Sequence, residues 1–314
     1  MLAYIARRLL YLIPTLFGVA VLVFVLFSVA GEDPVRILLG DHASPEAIAL
    51  QQAKWGLDKP LLAQFGDFLV QIVTFDYGNS YASGEPLSKM FSDGAVVSLS
   101  LTLPPFLMSL CINILLAMLI AYYRNSWFDR FATAIAVMAM SVSYLVYIIS
   151  LQYLLAFKLD LFPVTAAGAT DWSFGSSHYY FVLPWLIMVL AAMGPDVRIY
   201  RTVFLDEIDA DYVRTARAKG ASERTVLFKH VLKNALIPII TYTVVAIPFL
   251  VLGAFLMERF FGLPGVGDLL IKSINNGDYP VLKGLTMYIA VGYSLFNLLS
   301  DILYAFVDPR VKLD

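Results

Sequence analysis

The chain has 314 residues, of which 60% are hydrophobic and 15% charged, and its mean hydropathy is +0.75. Soluble domains average about 45–50% apolar and ~25% charged residues, so this composition excludes an ordinary soluble domain and favours an integral membrane protein. The net charge of −2 points to no nucleic-acid partner, and the single cysteine, Cys111, excludes an intrachain disulfide.

Six stretches are apolar enough for transmembrane helices, which need about 20 mostly apolar residues. They lie at 9–30, 95–123, 131–157, 179–197, 235–257 and 283–306. The first could instead be a cleaved signal peptide, but its apolar run is longer than the ~7–15 residues of a signal core. The sequence therefore predicts an all-α integral membrane protein with six spans.

The segment 31–93, between the first two spans, contains a local helix signal. Ser44 is suited to the N-cap, Pro45 to the first helical position, and Glu46 to the first turn. This pattern predicts a helix over 44–57. The segment is short and poor in hydrophobic residues, so we expect a cap on the first two spans rather than a large domain.

The distribution of Lys and Arg predicts the orientation, because cytoplasmic loops carry an excess of these residues. Placing both termini in the cytoplasm puts inside most of the 22 bases, including Arg7, Arg8, Arg124, Arg130, Arg310, Lys312 and those of 198–234. The opposite orientation would place the most basic segment outside. The sequence therefore predicts that 198–234 is the main cytoplasmic loop.

The most unusual part of this loop is the basic segment, "DYVRTARAKGASERTVLFKHVLKNALIP", residues 211–238. Helix formers precede Gly220, and Ser222 is placed to cap a second helix with Glu223 in its first turn. We therefore expect two short helices joined at Gly220. An amphipathic stripe with basic flanks suits docking into another protein or onto a membrane surface. The alternative is a solvated loop whose bases only set the topology.

The same segment carries a family resemblance. "DYVRTARAKGAS" followed by "HVLKNALIP" resembles the cytoplasmic signature loop of permease subunits in bacterial ABC importers of the dipeptide/oligopeptide/nickel branch. Gly220 and Ala216 match the wider importer pattern, whereas Arg214, Thr215 and Lys233 depart from it in the way typical of this branch.

The resemblance covers nearly the whole chain. The matching stretches are "MLAYIARRLLYLIPTLFGVAVLVF", "GLDKPLLAQF", "DYGNSYASGEPL", "ERFFGLPGVGDLLIKSINNGDYPVLKG" and "NLLSDILYAFVDPRVK". The first-permease type, which has a long outer loop after the first span, fits best. Residues 124–150 follow the pattern only loosely.

The resemblance implies a type I ABC importer permease fold that forms half of a translocation pore. Its parts would be a first helix and extracytoplasmic segment (1–93), a transmembrane domain (94–308) and a cytoplasmic tail (309–314). The implied partners are a second homologous permease, two cytosolic ATPases, an extracytoplasmic substrate-binding protein and the bilayer of the inner membrane. Peptides are the expected cargo, with nickel, an oligosaccharide or an antimicrobial peptide as alternatives.

The resemblance also implies which residues would dock on the ATPase. They lie between 211 and 234: Asp211, Arg214, Ala216, Arg217, Lys219, Gly220, Ser222 and His230. The chain contains no GxxxxGK[S/T] phosphate loop, so we expect no catalysis and no cofactor on this chain, with ATP and Mg on partner subunits.

Other polar residues are weaker candidates. His42, His178 and His230 are far apart in sequence and predict no metal site. The "GLPGVG" motif at 262–267 predicts turns near the place where substrate enters. Polar residues within the spans could line a pathway or bond neighbouring helices: Asn113, Ser141, Ser143, Gln152 and Asn297.

Asp301 is the clearest ionisable residue at membrane depth. A structural role is favoured for Asp301, in an ion pair with Arg310 or an N-terminal arginine. We expect structural roles for Pro309 and Arg310 as well. Proton or ion coupling is the alternative. A stand-alone secondary transporter would carry buried charges in several spans and inverted repeats, and a membrane anchor would need no two-helix cytoplasmic loop.

Overall fold

The computed structural model describes residues 2–29, 33–40, 43–166, 178–252 and 254–307. Over these residues the protein is helical, and the single β feature among them is an isolated antiparallel bridge between Asn79 and Pro86. The predicted all-α class is confirmed.

Four helices in the described part of the chain are long and apolar enough to cross a membrane. They are α1 (Leu2–Ser28), α5 (Leu87–Tyr122), α8 (His178–Ile208) and α14 (Tyr279–Val307). They correspond to the first, second, fourth and sixth predicted spans. Helix α8 extends past the predicted boundary at 197 to Ile208. The residues after 197 are more polar on average, but Tyr200 and Phe204 among them are buried.

The third and fifth predicted spans are each interrupted. Helix α6 (Trp127–Ser141) meets α7 (Tyr144–Leu151), which continues as a π-helix over Gln152–Lys158, at an angle of 96°. One continuous helix over 131–157 is therefore a wrong expectation: Val142 is extended (ψ 127°) and breaks the hydrogen-bond ladder between the two helices.

The fifth span is interrupted in a milder way. Helix α11 (Leu232–Val244) is followed by a 3₁₀-helix (Ile247–Leu252) and α12 (Phe255–Phe261), with a bend of 46°. Counting each bent pair as one span brings the four straight candidates to at most six, by length and composition.

Between α1 and α5 the described residues form three helices: α2 (Pro34–Leu39), α3 (Pro45–Trp55) and α4 (Leu61–Thr74). The helix predicted over 44–57 is confirmed as α3: the Ser44 hydroxyl accepts a hydrogen bond from the Ala47 amide at 3.2 Å, and Gly56 ends the helix with φ +69°. Helix α4 packs on α1 through Phe65, whose ring lies 5.1 Å from that of Phe24.

Asp278, just before α14, ties this segment to the rest of the bundle. Its buried carboxylate accepts hydrogen bonds from the Ser80 hydroxyl at 2.5 Å and the Tyr81 amide at 3.1 Å. The Tyr81 ring stacks on Trp55 with 3.5 Å between ring centroids. Burial, followed by the nearby Asp278 carboxylate, raises the pKa of Tyr81 to about 12, so this phenol is neutral at ordinary pH.

The "GLPGVG" motif forms the turn between α12 and α13 (Val266–Asn275), as predicted. It wraps around the carboxylate of Glu258, which is fully buried and accepts hydrogen bonds from the Ser98 hydroxyl at 2.6 Å and the Asp268 amide at 3.0 Å. This arrangement joins α5, α12 and α13 through one carboxylate. That the motif lies near the place where substrate enters stays a prediction.

The close approach in this turn predicts a specific sensitivity. A Cβ at Gly267 would lie 2.5 Å from the Cβ and 2.6 Å from the Cα of Phe255. Gly267→Ala should therefore lower the free energy of unfolding by about 1–3 kcal/mol, as overpacking does. Thermal unfolding of the purified protein measures this change.

Gly66→Ala is the matched control, because Gly66 is exposed in α4 and a Cβ there meets nothing within 4 Å. This control should be neutral or slightly stabilising, since alanine favours helix more than glycine does. Equal stability of Gly267→Ala and the unaltered protein would show that the turn is looser than described.

Candidate functional site

The basic segment has the predicted arrangement of helix, glycine turn and helix. Helix α9 (Asp211–Ala218) ends in a turn where Gly220 has φ +78°, and α10 (Glu223–Thr225) follows. The Gly220 amide bonds the Arg217 carbonyl at 2.9 Å and the Ala221 amide bonds the Ala216 carbonyl at 3.2 Å. These two bonds make a Schellman motif, which places glycine in the left-handed conformation after a helix.

The second helix of the segment is not separate from the membrane helices. After α10 the chain continues as a π-helix over Val226–Val231 and then directly as α11. Ser222 caps its start by accepting a hydrogen bond from the Thr225 amide at 3.4 Å. The expectation of a second short helix is therefore wrong: the helix that begins after Gly220 runs without a break to Val244, into the fifth predicted span (235–257).

One face of the basic segment is packed against the ends of the long helices. Val213 is fully buried and Ala216 is buried nearly as completely, and both belong to a core cluster with Ile120 of α5 and with Phe204 and Ile208 of α8. The Ala216 side chain therefore contributes to the interior of this chain and not to an exposed docking face, which corrects its place among the predicted docking residues.

The other predicted docking residues lie on the exposed face, with His230 partly covered. Two of the bases form ion pairs within the segment. Arg217 makes a two-point contact with Glu223, at 3.0 and 3.3 Å, across the Gly220 turn, and Arg214 lies 3.4 Å from Asp211. Lys219 makes no ion pair with any described residue. On the exposed surface, Arg217 is therefore paired with Glu223 of the same segment, whereas Lys219 can form an ion pair with a partner protein.

Two further ion pairs anchor the helix ends beside the segment. Arg124, after α5, lies 2.6 Å from Asp209, after α8. Arg201 of α8 makes a two-point contact with Asp129 of α6, at 2.7 and 2.8 Å, and the Asp129 side chain is only 6% exposed. These contacts fix α5, α6 and α8 relative to one another where α9 packs on them.

The Arg201–Asp129 pair should matter for stability because its removal leaves a buried carboxylate unpaired. Arg201→Ala should lower the free energy of unfolding by roughly 2–3 kcal/mol, and Arg201→Lys by less, since lysine keeps the charge but not the two-point contact. Lys59→Ala is the control: its pair with Asp67 is exposed, and exposed pairs contribute little. Equal effects of Arg201→Ala and Lys59→Ala in thermal unfolding would contradict this assignment.

The structure does not bring the five predicted pathway residues together. Ser141 and Ser143 are exposed at the bend between α6 and α7, and Asn297 is exposed on α14. Gln152 donates hydrogen bonds to the carbonyls of Val164 and Phe260, so it joins the π-helix to α12. Asn113 is fully buried and donates to the Asp196 carboxylate at 3.1 Å.

Asp196 is the polar residue that the sequence analysis missed. It lies in the middle of α8 and lines a cavity of about 440 Å³ between α5, α8, α11 and the 3₁₀-helix Ile247–Leu252. The wall of this cavity is aromatic and weakly polar, with Phe106, Ser109, Tyr200, Tyr242, Thr243 and Phe249. The available signal was an acid inside the predicted span 179–197, since an ionisable residue at membrane depth indicates function by default.

Asp301 of α14 lies 3.3 Å from Arg8 of α1. The observed partner is thus an N-terminal arginine, and the pair joins the first and last long helices. Pro309 and Arg310 lie outside the described residues, as does His42. Among the described residues no group of three or more His, Cys, Asp or Glu side chains could hold a metal ion.

Comparison with known proteins defines the class of this protein. Residues 113–313 match the family model "Binding-protein-dependent transport system inner membrane component", and residues 1–102 match the N-terminal model of the same kind of component. The chain belongs to this family. It is a permease subunit of an ABC importer of the peptide/nickel branch, as the sequence resemblance indicated.

The chain is also similar over its full length to individual permease proteins of this family. The chain is 35% identical over 312 residues to the "Glutathione transport system permease protein GsiC" of Salmonella typhimurium (strain LT2), and the alignment covers 99% of both chains. The protein of the same name in Escherichia coli (strain K12) gives the same identity and coverage. The protein is therefore a non-catalytic, multi-pass inner-membrane subunit that works with a substrate-binding protein and with ATPase partners.

Proposed function

We propose that this chain forms one half of the translocation pathway of an ATP-driven peptide importer and couples to a cytosolic ATPase through residues 211–234. The observation that carries the coupling proposal is the two-sided construction of the basic segment. Its apolar face is buried in the cluster around Val213 and Phe204, while its charged face is exposed and rigidly bent at Gly220.

This construction suits the transmission of force. A partner that pushes on the exposed face of α9 acts on α5 and α8 through buried contacts, since packed side chains yield little to compression. The same push reaches α11 through a continuous helical segment from Glu223 to Val244, part of which has π-helical geometry. The π-helix at Val226–Val231 is the one interruption of regular geometry along that path, and π-turns in helices are frequent at functional sites.

Peptides are the proposed cargo. The similar GsiC proteins are named as glutathione transport permeases, and glutathione is a short peptide with a free amino group. The other cargoes of the branch are nickel, oligosaccharides and antimicrobial peptides. The proposal of a peptide rests on the relatives' names together with the full-length similarity.

The proposed complex contains a second, homologous permease and two ATPase subunits, because one chain with one docking segment provides half of a pathway. ATP and Mg would bind on the ATPases, with no cofactor on this chain. Both termini and the basic segment would face the cytoplasm, and the segment 31–93 would lie outside with the substrate-binding protein.

Gly220 provides the sharpest test of coupling. A Cβ there meets nothing within 4 Å, but φ is +78°, so the effect of a substitution depends on backbone conformation and not on space. Gly220→Val should strain the turn by about 1–3 kcal/mol, whereas Gly220→Asn should be tolerated because asparagine enters the left-handed region more readily. In reconstituted vesicles, uptake and substrate-stimulated ATP hydrolysis should fall together in the valine variant alone.

Membrane insertion and docking of the binding protein should be unchanged in both Gly220 variants, because the proposed topology places the turn and the segment 31–93 on opposite sides of the membrane. Transport by Gly220→Val at the unaltered rate would show that the basic segment only sets the topology. A loss of ATPase subunits from the purified valine variant would locate the defect in docking itself.

Orientation is tested by labelling single cysteines at two exposed positions, Ser83 and Ser222, in a Cys111→Ala background. A membrane-impermeant thiol reagent should modify Ser83→Cys in intact cells. It should modify Ser222→Cys only after the membrane is opened, since the bases around Ser222 favour the cytoplasm. Modification of Ser222→Cys in intact cells would overturn the orientation.

A further inference from the structure

The cavity between α5, α8 and α11 contains a carboxylate, that of Asp196, which has no counter-charge among the described residues. Asp196 lies within α8, past the middle of the helix. Among the described residues no Lys or Arg side chain forms an ion pair with it. Its one hydrogen bond within the described protein comes from the Asn113 amide nitrogen at 3.1 Å. An acid at membrane depth without a basic partner is costly, and such residues face cavities and mark pathways.

Asn113 determines how the carboxylate is presented. Its side chain is fully buried, its nitrogen donates to Oδ2 of Asp196, and its own Oδ1 has no hydrogen-bond partner. The Asn113 side chain thus leaves its own buried oxygen without a hydrogen bond while its nitrogen binds the Asp196 carboxylate. Asn113 does not line the cavity, whereas Asp196 does, and Oδ1 of Asp196 accepts no hydrogen bond from a described residue.

The rest of the cavity wall suits a cation. Phe106 and Phe249 line it, and Tyr200 and Tyr242 do so with their rings 6.1 Å apart and nearly perpendicular. The Tyr200 hydroxyl is bonded to the Thr243 hydroxyl at 3.0 Å, which holds that ring in place. Aromatic faces attract ammonium groups, and a carboxylate adds a charge-assisted hydrogen bond.

The size of the cavity fits a small-molecule group. Its volume of about 440 Å³ lies within the range of roughly 300–1,000 Å³ that is typical of ligand pockets. Such pockets combine mainly apolar walls with a few oriented polar groups, and here Asp196 is the charged group among largely aromatic and aliphatic neighbours.

We propose that Asp196 is a recognition site for the ammonium group of the transported cargo, so that the pathway itself selects molecules with a free amine. This inference rests on the proposed function, because it assigns the cavity to the translocation pathway. It adds a selective step in the membrane subunit, where the cargo ammonium exchanges water for the Asp196 carboxylate and the surrounding rings.

The test uses the whole complex, with its partner subunits and binding protein, in vesicles. Three radiolabelled probes separate the sources of positive charge: trialanine carries an α-ammonium, N-acetyl-trialanine carries none, and N-acetyl-Ala-Lys-Ala carries one only on its side chain. For each probe, the rate with a variant is divided by the rate with the unaltered chain, so the preference of the binding protein cancels.

Asp196→Asn should lower trialanine uptake about tenfold, the usual scale for losing a hydrogen bond to a charged group, and leave N-acetyl-trialanine uptake unchanged. Asp196→Glu should restore part of the trialanine rate, because it keeps the charge. Asp196→Ser is a second neutral variant in case the asparagine variant assembles poorly. Uptake of N-acetyl-Ala-Lys-Ala shows whether a side-chain ammonium also engages the site: a tenfold loss means that it does, and no loss restricts recognition to the α-amine.

Asp93→Asn is the matched control, since Asp93 is an exposed acid on α5 that does not line the cavity. It should leave the rates for all three probes unchanged. Where the binding protein rejects the acetylated peptides, equilibrium binding of the same probes to the membrane complex without that protein gives the comparison.

Two results would overturn the inference while leaving the proposed function intact. One is trialanine uptake by both neutral variants at the unaltered rate. The other is an equal loss for charged and uncharged probes, which would make Asp196 a structural residue. Failure of the unaltered complex to carry any peptide is a different result, because it removes the proposed function itself.

Discussion

The burial of Val213 and Ala216 against the carboxyl-terminal ends of α5 and α8 is the contact on which the proposed coupling depends. Without it, α9 would be a basic helix joined to the bundle only through its chain ends. Burying a side chain of valine size contributes about 1.5–3 kcal/mol, so a few such residues hold the segment firmly. The ion pairs Arg124–Asp209 and Arg201–Asp129 then fix the helix ends to which α9 is attached. The exposed charges of the segment can act on a partner because the opposite face is anchored.

The features that the sequence predicted are those with local causes. The capping signal of Ser44, Pro45 and Glu46 predicted α3, and the helix formers interrupted at Gly220 predicted the turn that the structure shows. Long apolar runs identified the four straight spans. In each case the residues that determine the structure are neighbours in the chain, so no knowledge of the tertiary fold was needed.

The features that the sequence did not predict depend on contacts between distant residues. The extension of α8 to Ile208 accompanies the burial of Tyr200 and Phe204, and the 96° bend after α6 lies at the extended backbone of Val142. Hydropathy records neither feature. The charged residues within apolar helices have partners far along the chain: Asn113 and Asp196 are 83 residues apart, and Ser98 and Glu258 are 160 apart. Ala216 was expected on the docking face because it matches the importer motif, but a motif does not reveal which of its residues face inward.

The basic segment and the Asp196 cavity share helix α8, and this connects the proposed energy input with the proposed cargo step. Asp196 lies two turns before Phe204, which packs in the cluster that holds α9. A displacement of α9 by a partner would therefore move the wall that carries Asp196. We therefore expect the affinity of the pathway for the cargo ammonium to change with the state of the ATPase.

Site-specific photo-crosslinking in the assembled complex tests directly whether the basic segment contacts an ATPase subunit. A photoreactive amino acid replaces Lys219 on the exposed face of the basic segment, and in a parallel sample it replaces the exposed Asp93 near the other end of the bundle. We expect irradiation to join the Lys219 variant, and not the Asp93 variant, to an ATPase subunit, and mass spectrometry to identify the adduct. Absence of an ATPase adduct at position 219, in a complex that retains its ATPase subunits, would contradict docking of the ATPase on the basic segment.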